Sequence, residues 1–257
     1  MNTPAPPDLS STEFLQLVGH PIRWRLLGAL AKSDCLVHEL TGLTGEPQNL
    51  VSYHLGKLRD ARLVSAQRSS ADRRDAYYTL DLARIGTLLG ATSGAIHPGL
   101  RPAAPAQNHA TMPAPKVLFL CTGNSARSQM AEALTSVRSG GVIQAFSAGS
   151  HPKPMHPNAL RVMRDEHGID LSKQTSKHLD VFTGQHFDWV ISLCDRVREV
   201  CPEFPGSPNT IHWSTRNPAD AGTDDSSSFP MFQQVASELD RRIGFLFALI
   251  TDQPAAT

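Results

Sequence analysis

The chain has 257 residues, 24 basic and 24 acidic side chains, and no formal net charge. That length suits two domains better than one, and with a neutral total the field of the whole molecule names no partner. No run of about 18 apolar residues occurs, which excludes a membrane-spanning helix.

Met1 to Ser10 is Pro-rich and lacks a basic-then-apolar leader pattern, so a cytoplasmic protein is the expectation. Four cysteines in a reducing compartment point to catalysis or metal binding before cross-linking. Ser10 with Glu13 has the spacing of a capping box. Pro21 can start a helix whose apolar positions Ile22, Leu26 and Leu30 recur every four residues. A short helix is expected around Leu36–Leu40, capped by Ser33 or Asp34. Gly45-Glu46-Pro47 then turns the chain into a helix from about Gln48 to Ala61, with Val51, Leu55 and Leu58 inward and Gln48, Asn49, Ser52, Tyr53 and Arg59 outward. Leu63–Arg68 and Ala76–Leu80 read as two strands around a polar tip. A further helix begins at Asp81, with Leu82, Ile85 and Leu89 on one side. Helix, turn, helix and a basic-tipped hairpin is the order of a winged helix-turn-helix, mostly α with a β-hairpin wing. The basic run Lys57, Arg59, Arg62, Arg68, Arg73 and Arg74, against Asp60 and Asp72, suits that reading, although alone it would pass for a solvated face.

Residues 94–115 are rich in Pro, Gly, Ala, Gln and Asn and read as a linker between domains at 1–93 and 116–257. Beyond it strands and helices alternate. Strands are expected at Lys116–Leu120, Ile143–Phe146, Asp188–Leu193 and Thr210–Trp213. Helices are expected at Arg127–Val137, Pro157–His167 and Met231–Ile250. The alternation predicts a three-layer α/β domain with a four-stranded parallel sheet. Its ligand would lie at the carboxyl ends of the strands, after the first strand.

That position is occupied by Cys121-Thr122-Gly123-Asn124-Ser125-Ala126-Arg127-Ser128. A glycine-containing loop between strand and helix turns backbone N–H groups toward a tetrahedral oxyanion, here those of Gly123, Asn124, Ser125 and Ala126. Cys121 at its base is a candidate nucleophile, favoured as thiolate by the helix N-terminus and a nearby cation. Arg127 can fork onto two oxygens, and Ser128 can donate a hydrogen bond to the sulfur. Cys194 and Cys201 follow, Cys194 at the end of a predicted strand as Cys121 is, so both could face one pocket. Two inert thiols or half of a zinc site are the competing readings. Zinc would want more Cys or His at short spacing than His212 supplies.

Residues 116–250 resemble the low-molecular-weight tyrosine phosphatase fold, and more closely its thioredoxin-coupled arsenate reductase branch. The likeness rests on Cys121 to Glu132, Ser147-Ala148-Gly149, the Cys194/Cys201 pair and His212-Trp213. It implies that Cys121 attacks arsenate, that Cys194 attacks Cys121 and releases arsenite, and that Cys201 then attacks Cys194. Thioredoxin would reduce the final disulfide. The family's Asp before a Pro, the general acid, corresponds to Asn217, with Asp220 three residues on. Asn cannot donate a proton as an acid, which counts more against phosphatase activity than against reduction. Some relatives bind potassium through Asn, Glu, Ser and a carboxylate. Asn124, Glu132 and Ser147 match, but Lys177 stands at the fourth position, so no metal or other cofactor is expected.

Residues 11–90 resemble the arsenic-repressor (ArsR) family of winged helix-turn-helix regulators, through His20-Pro21-Ile22-Arg23, Gln48 to Leu55 and a wing ending in Tyr77-Tyr78. The likeness implies a DNA operator as partner, with Gln48, Asn49, Ser52, Tyr53 and His54 at the major groove and Arg68, Arg73 and Arg74 at phosphates or the minor groove. It also implies a homodimer through terminal helices. Relatives sense arsenite with clustered thiols, whereas Cys35 stands alone and reads as a small buried hydrophobe. The expected function is a DNA-binding regulator fused to an arsenate reductase. The alternatives are fusion to a tyrosine phosphatase, or to a catalytically weak oxyanion or redox sensor.

Overall fold

In the computed structural model, residues 9–100, 114–222 and 224–251 are described. They form two compact units.

In the N-terminal unit, α1 (Ser11–Val18) opens with the expected capping box, Glu13 Oε2 accepting from the Ser10 N–H at 2.9 Å. Helix α2 (Pro21–Leu30) carries its proline in the first turn, and His20 Nδ1 caps the Ile22 N–H. Ser33 and Asp34 do not cap the next helix. Cys35–Leu36 instead form a short strand, β1, and Glu39 accepts the Leu36 N–H (2.7 Å), so α3 (Val37–Thr44) starts later than expected. Gly45 ends α3 at φ 70°, a left-handed conformation that suits glycine, and α4 (Gln48–Asp60) follows. Strands β2 (Val64–Arg68) and β3 (Ala76–Leu80) form the hairpin, and β1 joins it antiparallel in the order β1-β3-β2. Leu26, Leu40, Val51, Leu55, Leu58 and Leu63 form its core, each fully buried. Helix α5 (Leu82–Ile96), capped by Asp81, runs into the stretch whose composition reads as linker. Most of that stretch, 101–113, lies outside the described residues.

The second unit is built on a parallel sheet of order β5-β4-β6-β7. Strand β4 (Lys116–Cys121) is central, between β5 (Gln144–Gly149) and β6 (Trp189–Ser192), and β7 (Asn209–His212) lies beyond β6. Val117 to Leu120 are buried without interruption, as expected of a strand covered on both faces. Helices α6 (Arg127–Arg138), α7 (Pro157–His167) and α9 (Asp225–Thr251) pack on one another, and Val235, Leu239, Ile243 and Leu246 turn the inner stripe of α9 into the core. Helix α9 starts six residues before the expected Met231. Asp224 Oδ1 accepts the Ser227 N–H (2.8 Å) and nucleates the extra turn, while Pro230 forfeits one helical hydrogen bond. A short helix, α8 (Asp195–Glu199), lies between the two downstream cysteines.

Candidate active site

Strand β4 brings Cys121 to the carboxyl edge of the sheet, and the chain turns through residues 122–126 into α6. The turn is braced from outside. Thr122, Gly123 and Ser125 carbonyls accept from the N–H groups of His151 (2.8 Å), Lys153 (2.9 Å) and His156 (2.9 Å), and the Asn124 carbonyl accepts from Ser176 Oγ (2.7 Å). In a trans peptide the N–H points opposite its carbonyl, and no peptide bond among the described residues is cis. With the carbonyls held outward, the N–H groups of Gly123, Asn124, Ser125 and Ala126 face the other side of the turn. Gly149 is needed beside it: a Cβ there would lie 2.6 Å from the Thr122 carbonyl oxygen and 2.8 Å from the Asn124 nitrogen. Strand β5, read from sequence as ending at Phe146, continues to Gly149 and pairs that residue with Cys121.

Asn124 adopts φ 43°, a left-handed conformation that Asn tolerates better than most side chains. Its Nδ2 donates to Ser128 Oγ (2.9 Å) and Ser147 Oγ (2.8 Å). Its Oδ1 accepts from the Lys177 N–H (2.7 Å) and from Gln129 Nε2 (3.1 Å). Ser128 Oγ lies 3.0 Å from the buried Cys121 sulfur. The hydroxyl oxygen accepts from Asn124 Nδ2, and its own proton can reach the sulfur when the sulfur is a thiolate. The Arg127 guanidinium is buried, and one nitrogen donates to the Thr215 carbonyl (2.9 Å). A guanidinium has further donors in a fixed fork, so the anchored group keeps a face for two oxygens of an anion.

Cys194, buried at the start of α8, has its sulfur 3.2 Å from Thr122 Oγ1, the hydroxyl of the residue after Cys121. Cys201 is half-buried, and burial pushes its thiol up from the ordinary value. All four cysteines are free thiols. Asn217 and Asp220 are exposed at the ends of a single 3-10 turn, two residues or more beyond Thr215. The Lys177 ammonium lies 3.5 Å from Glu132 Oε2. It brings its own positive charge to the place a resident cation would take, so the residues do not fit potassium. Sequence reasoning missed the roles of Thr122, Gln129 and Thr215. The first two lie inside the quoted motif, where their types gave a signal. Thr215 contributes only a backbone carbonyl, which its side chain does not advertise.

On α4, Gln48, Asn49, Ser52 and Tyr53 are exposed, Tyr53 at 57%. Arg68, Arg73 and Arg74 are exposed on the hairpin. His54 corrects the expectation: it is 4% exposed, its ring 4.4 Å from that of His20 and its Nδ1 3.5 Å from the Arg23 guanidinium. It lies three residues after Val51 and four before Leu58, on the inner stripe. Burial first, then the charges of His20 and Arg23, lower its pKa from the ordinary value. Cys35 is buried, as a lone apolar thiol should be. Among the described residues no helix is long and apolar enough to cross a membrane.

Residues 116–255 match the family described as low molecular weight phosphotyrosine protein phosphatase, and residues 20–66 match the bacterial regulatory protein arsR family. Over 127 residues the chain is 39% identical to an arsenate reductase of Halalkalibacterium halodurans, which covers 49% of this chain and 91% of the relative. An arsenate reductase of Brevibacillus brevis is 41% identical over 127 residues, covering 49% and 90%. That of Bacillus subtilis is 37% identical over 127 residues, covering 49% and 91%. The chain thus belongs to the low molecular weight phosphotyrosine protein phosphatase family, as an ArsR-type regulator fused to a domain of the arsenate reductase and phosphatase fold.

Proposed function

We propose that the protein is a cytoplasmic DNA-binding regulator that also reduces arsenate to arsenite through three thiols. The observation that carries the reading is the Cys194 sulfur 3.2 Å from Thr122 Oγ1, on the rim of the loop that holds Cys121. A hydrolytic phosphatase has no use for a second thiol there.

Arsenate would sit on the N–H groups of Gly123 to Ala126, with two oxygens on the Arg127 fork. The Cys121 thiolate, accepting from Ser128, bonds to arsenic, and a hydroxyl leaves as water once protonated. The Cys194 thiolate then attacks the Cys121 sulfur. An S–S bond forms, the S–As bond breaks, and its electron pair stays on arsenic, which falls from As(V) to As(III) and leaves as arsenite. Cys201 as thiolate attacks Cys194 and frees Cys121 as thiolate. An external dithiol, thioredoxin in this reading, supplies two electrons to the Cys194–Cys201 disulfide.

The N-terminal unit would read an operator with the exposed side chains of α4 and meet phosphates with the wing arginines. Leu15 on α1, and Leu89 and Ile96 on α5, are exposed on helices that pack together, which supports a homodimer through these helices.

The test is a coupled assay of the full chain with thioredoxin, thioredoxin reductase and NADPH. Arsenate-dependent NADPH oxidation that is abolished in Cys121→Ser, Cys194→Ser and Cys201→Ser is the expected result. Release of phosphate from an aryl phosphate that survives Cys194→Ser, with no arsenate-dependent oxidation, would replace this reading with a phosphatase.

A further inference from the structure

Cys194 and Cys201 are joined through α8, whose five helical residues alone advance the chain about 7.5 Å. A disulfide tolerates Cα atoms no more than about 7 Å apart. A wound α8 therefore holds the two thiols at or beyond the reach of a disulfide, and whatever keeps α8 wound opposes that bond.

A buried polar chain grips the first residue of the helix. Asp195 Oδ1 accepts from Ser214 Oγ (2.8 Å) and faces His212 Nε2 at 3.1 Å. His212 Nδ1 lies 2.8 Å from Ser192 Oγ, at the end of β6. A carboxylate on Nε2 requires the proton there, so the imidazole bridges the sheet to the helix. Asp195, His212, Ser192 and Ser214 are all buried. Burial alone would raise the Asp195 carboxyl, yet hydrogen bonds, the largest from His212, hold it below the usual carboxylate range. The thiol steps use none of these groups, and keeping a carboxylate and an imidazole out of water without a purpose is costly.

We propose that the Ser192–His212–Asp195 chain is a latch on α8 that sets the redox equilibrium of the Cys194–Cys201 pair. The inference rests on the three-thiol reading. Contacts made only with α8 wound stabilise the dithiol over the disulfide, which makes the Cys194–Cys201 bond a better oxidant and hastens its return by an external dithiol. They also keep Cys194 against Thr122 until Cys121 has been attacked. These are positioning residues; they touch no reacting atom.

The test equilibrates the full chain in glutathione buffers of graded ratio and maps the Cys194–Cys201 disulfide by thiol alkylation and peptide mass. His212→Phe removes both bridging hydrogen bonds at similar volume. It is expected to shift the equilibrium toward the disulfide about tenfold, which is roughly 30 mV for this two-electron couple. Ser214→Ala, a milder change, should shift it in the same direction by less. If His212→Phe shows no cooperative melting, Ser214→Ala together with Ser192→Ala decides. An unchanged equilibrium in folded variants, or a shift toward the dithiol, overturns the latch. Failure of the unaltered chain to form a Cys194–Cys201 disulfide at any ratio would instead overturn the three-thiol reading beneath it.

Discussion

Four hydrogen bonds converge on the side chain of Asn124, from residues as distant as Ser147 and Lys177. They fix the loop in place, and such preorganisation is what the proposed binding of arsenate requires. The same precision makes the loop vulnerable at Gly149. Gly149→Ala places a methyl 2.6 Å from the Thr122 carbonyl oxygen, so the loop backbone has to shift to admit it. A loop displaced by an ångström should cost about 10²-fold in kcat/KM for arsenate, read by initial rates beside a melting curve that stays cooperative. Asn217 sets a second expectation. Restoring a carboxyl with Asn217→Asp should raise aryl phosphate hydrolysis by about 10²-fold or more, with a smaller gain for arsenate, whose leaving hydroxyl needs less help. An unchanged hydrolysis rate would show that position 217 is not where the acid belongs.

At the scale of elements, local signals served well where they were strong. Pro21 and Pro157 mark helix starts, and the gap between Val117–Leu120 and Arg127 placed the loop. Elements made by long-range partners were harder to read. Cys35–Leu36 is a strand because Tyr78 and Tyr77 pair with it, and no alternation in a two-residue strand can announce that. Strand β5 extends because Ser147 to Gly149 pair with Phe119 to Cys121. His54 followed Tyr53 in the expected groove face because sequence neighbours were grouped, although one residue turns a helix by about 100°. Asn49→Ala should therefore cost about 1–3 kcal/mol of operator affinity, measured by fluorescence anisotropy. His54→Ala should lower the melting temperature without changing base preference. Helix α8 was unread because five residues carry too little periodicity. The Cys201 thiol, two residues beyond the helix, predicts a pH dependence. Burial raises the Cys201 pKa, so the folded state keeps a proton that the unfolded chain gives up. Stability contributed by this group is fully present below the ordinary thiol value and is lost as pH rises from there through the raised folded value. Melting of the unaltered chain from pH 7 to 10 should fall more steeply than that of Cys201→Ser, and alkylation of Cys201 should lag that of a free thiol.

At the scale of the molecule, one chain carries a helix-turn-helix unit and an α/β unit of the low molecular weight phosphatase family. Its lone Cys35 lacks the companions that a trigonal sulfur site for arsenite demands. On this account the arsenic chemistry belongs to the second unit, and its core is electron transfer from sulfur to arsenic at two neighbouring thiols. Single-turnover chemistry without an external dithiol tests that core most directly. Cys201→Ser mixed with one equivalent of arsenate should yield one equivalent of arsenite and a Cys121–Cys194 disulfide found by peptide mass mapping. Cys194→Ser should yield neither. Stoichiometric arsenite from Cys194→Ser, or arsenate left untouched by Cys201→Ser, would contradict the account.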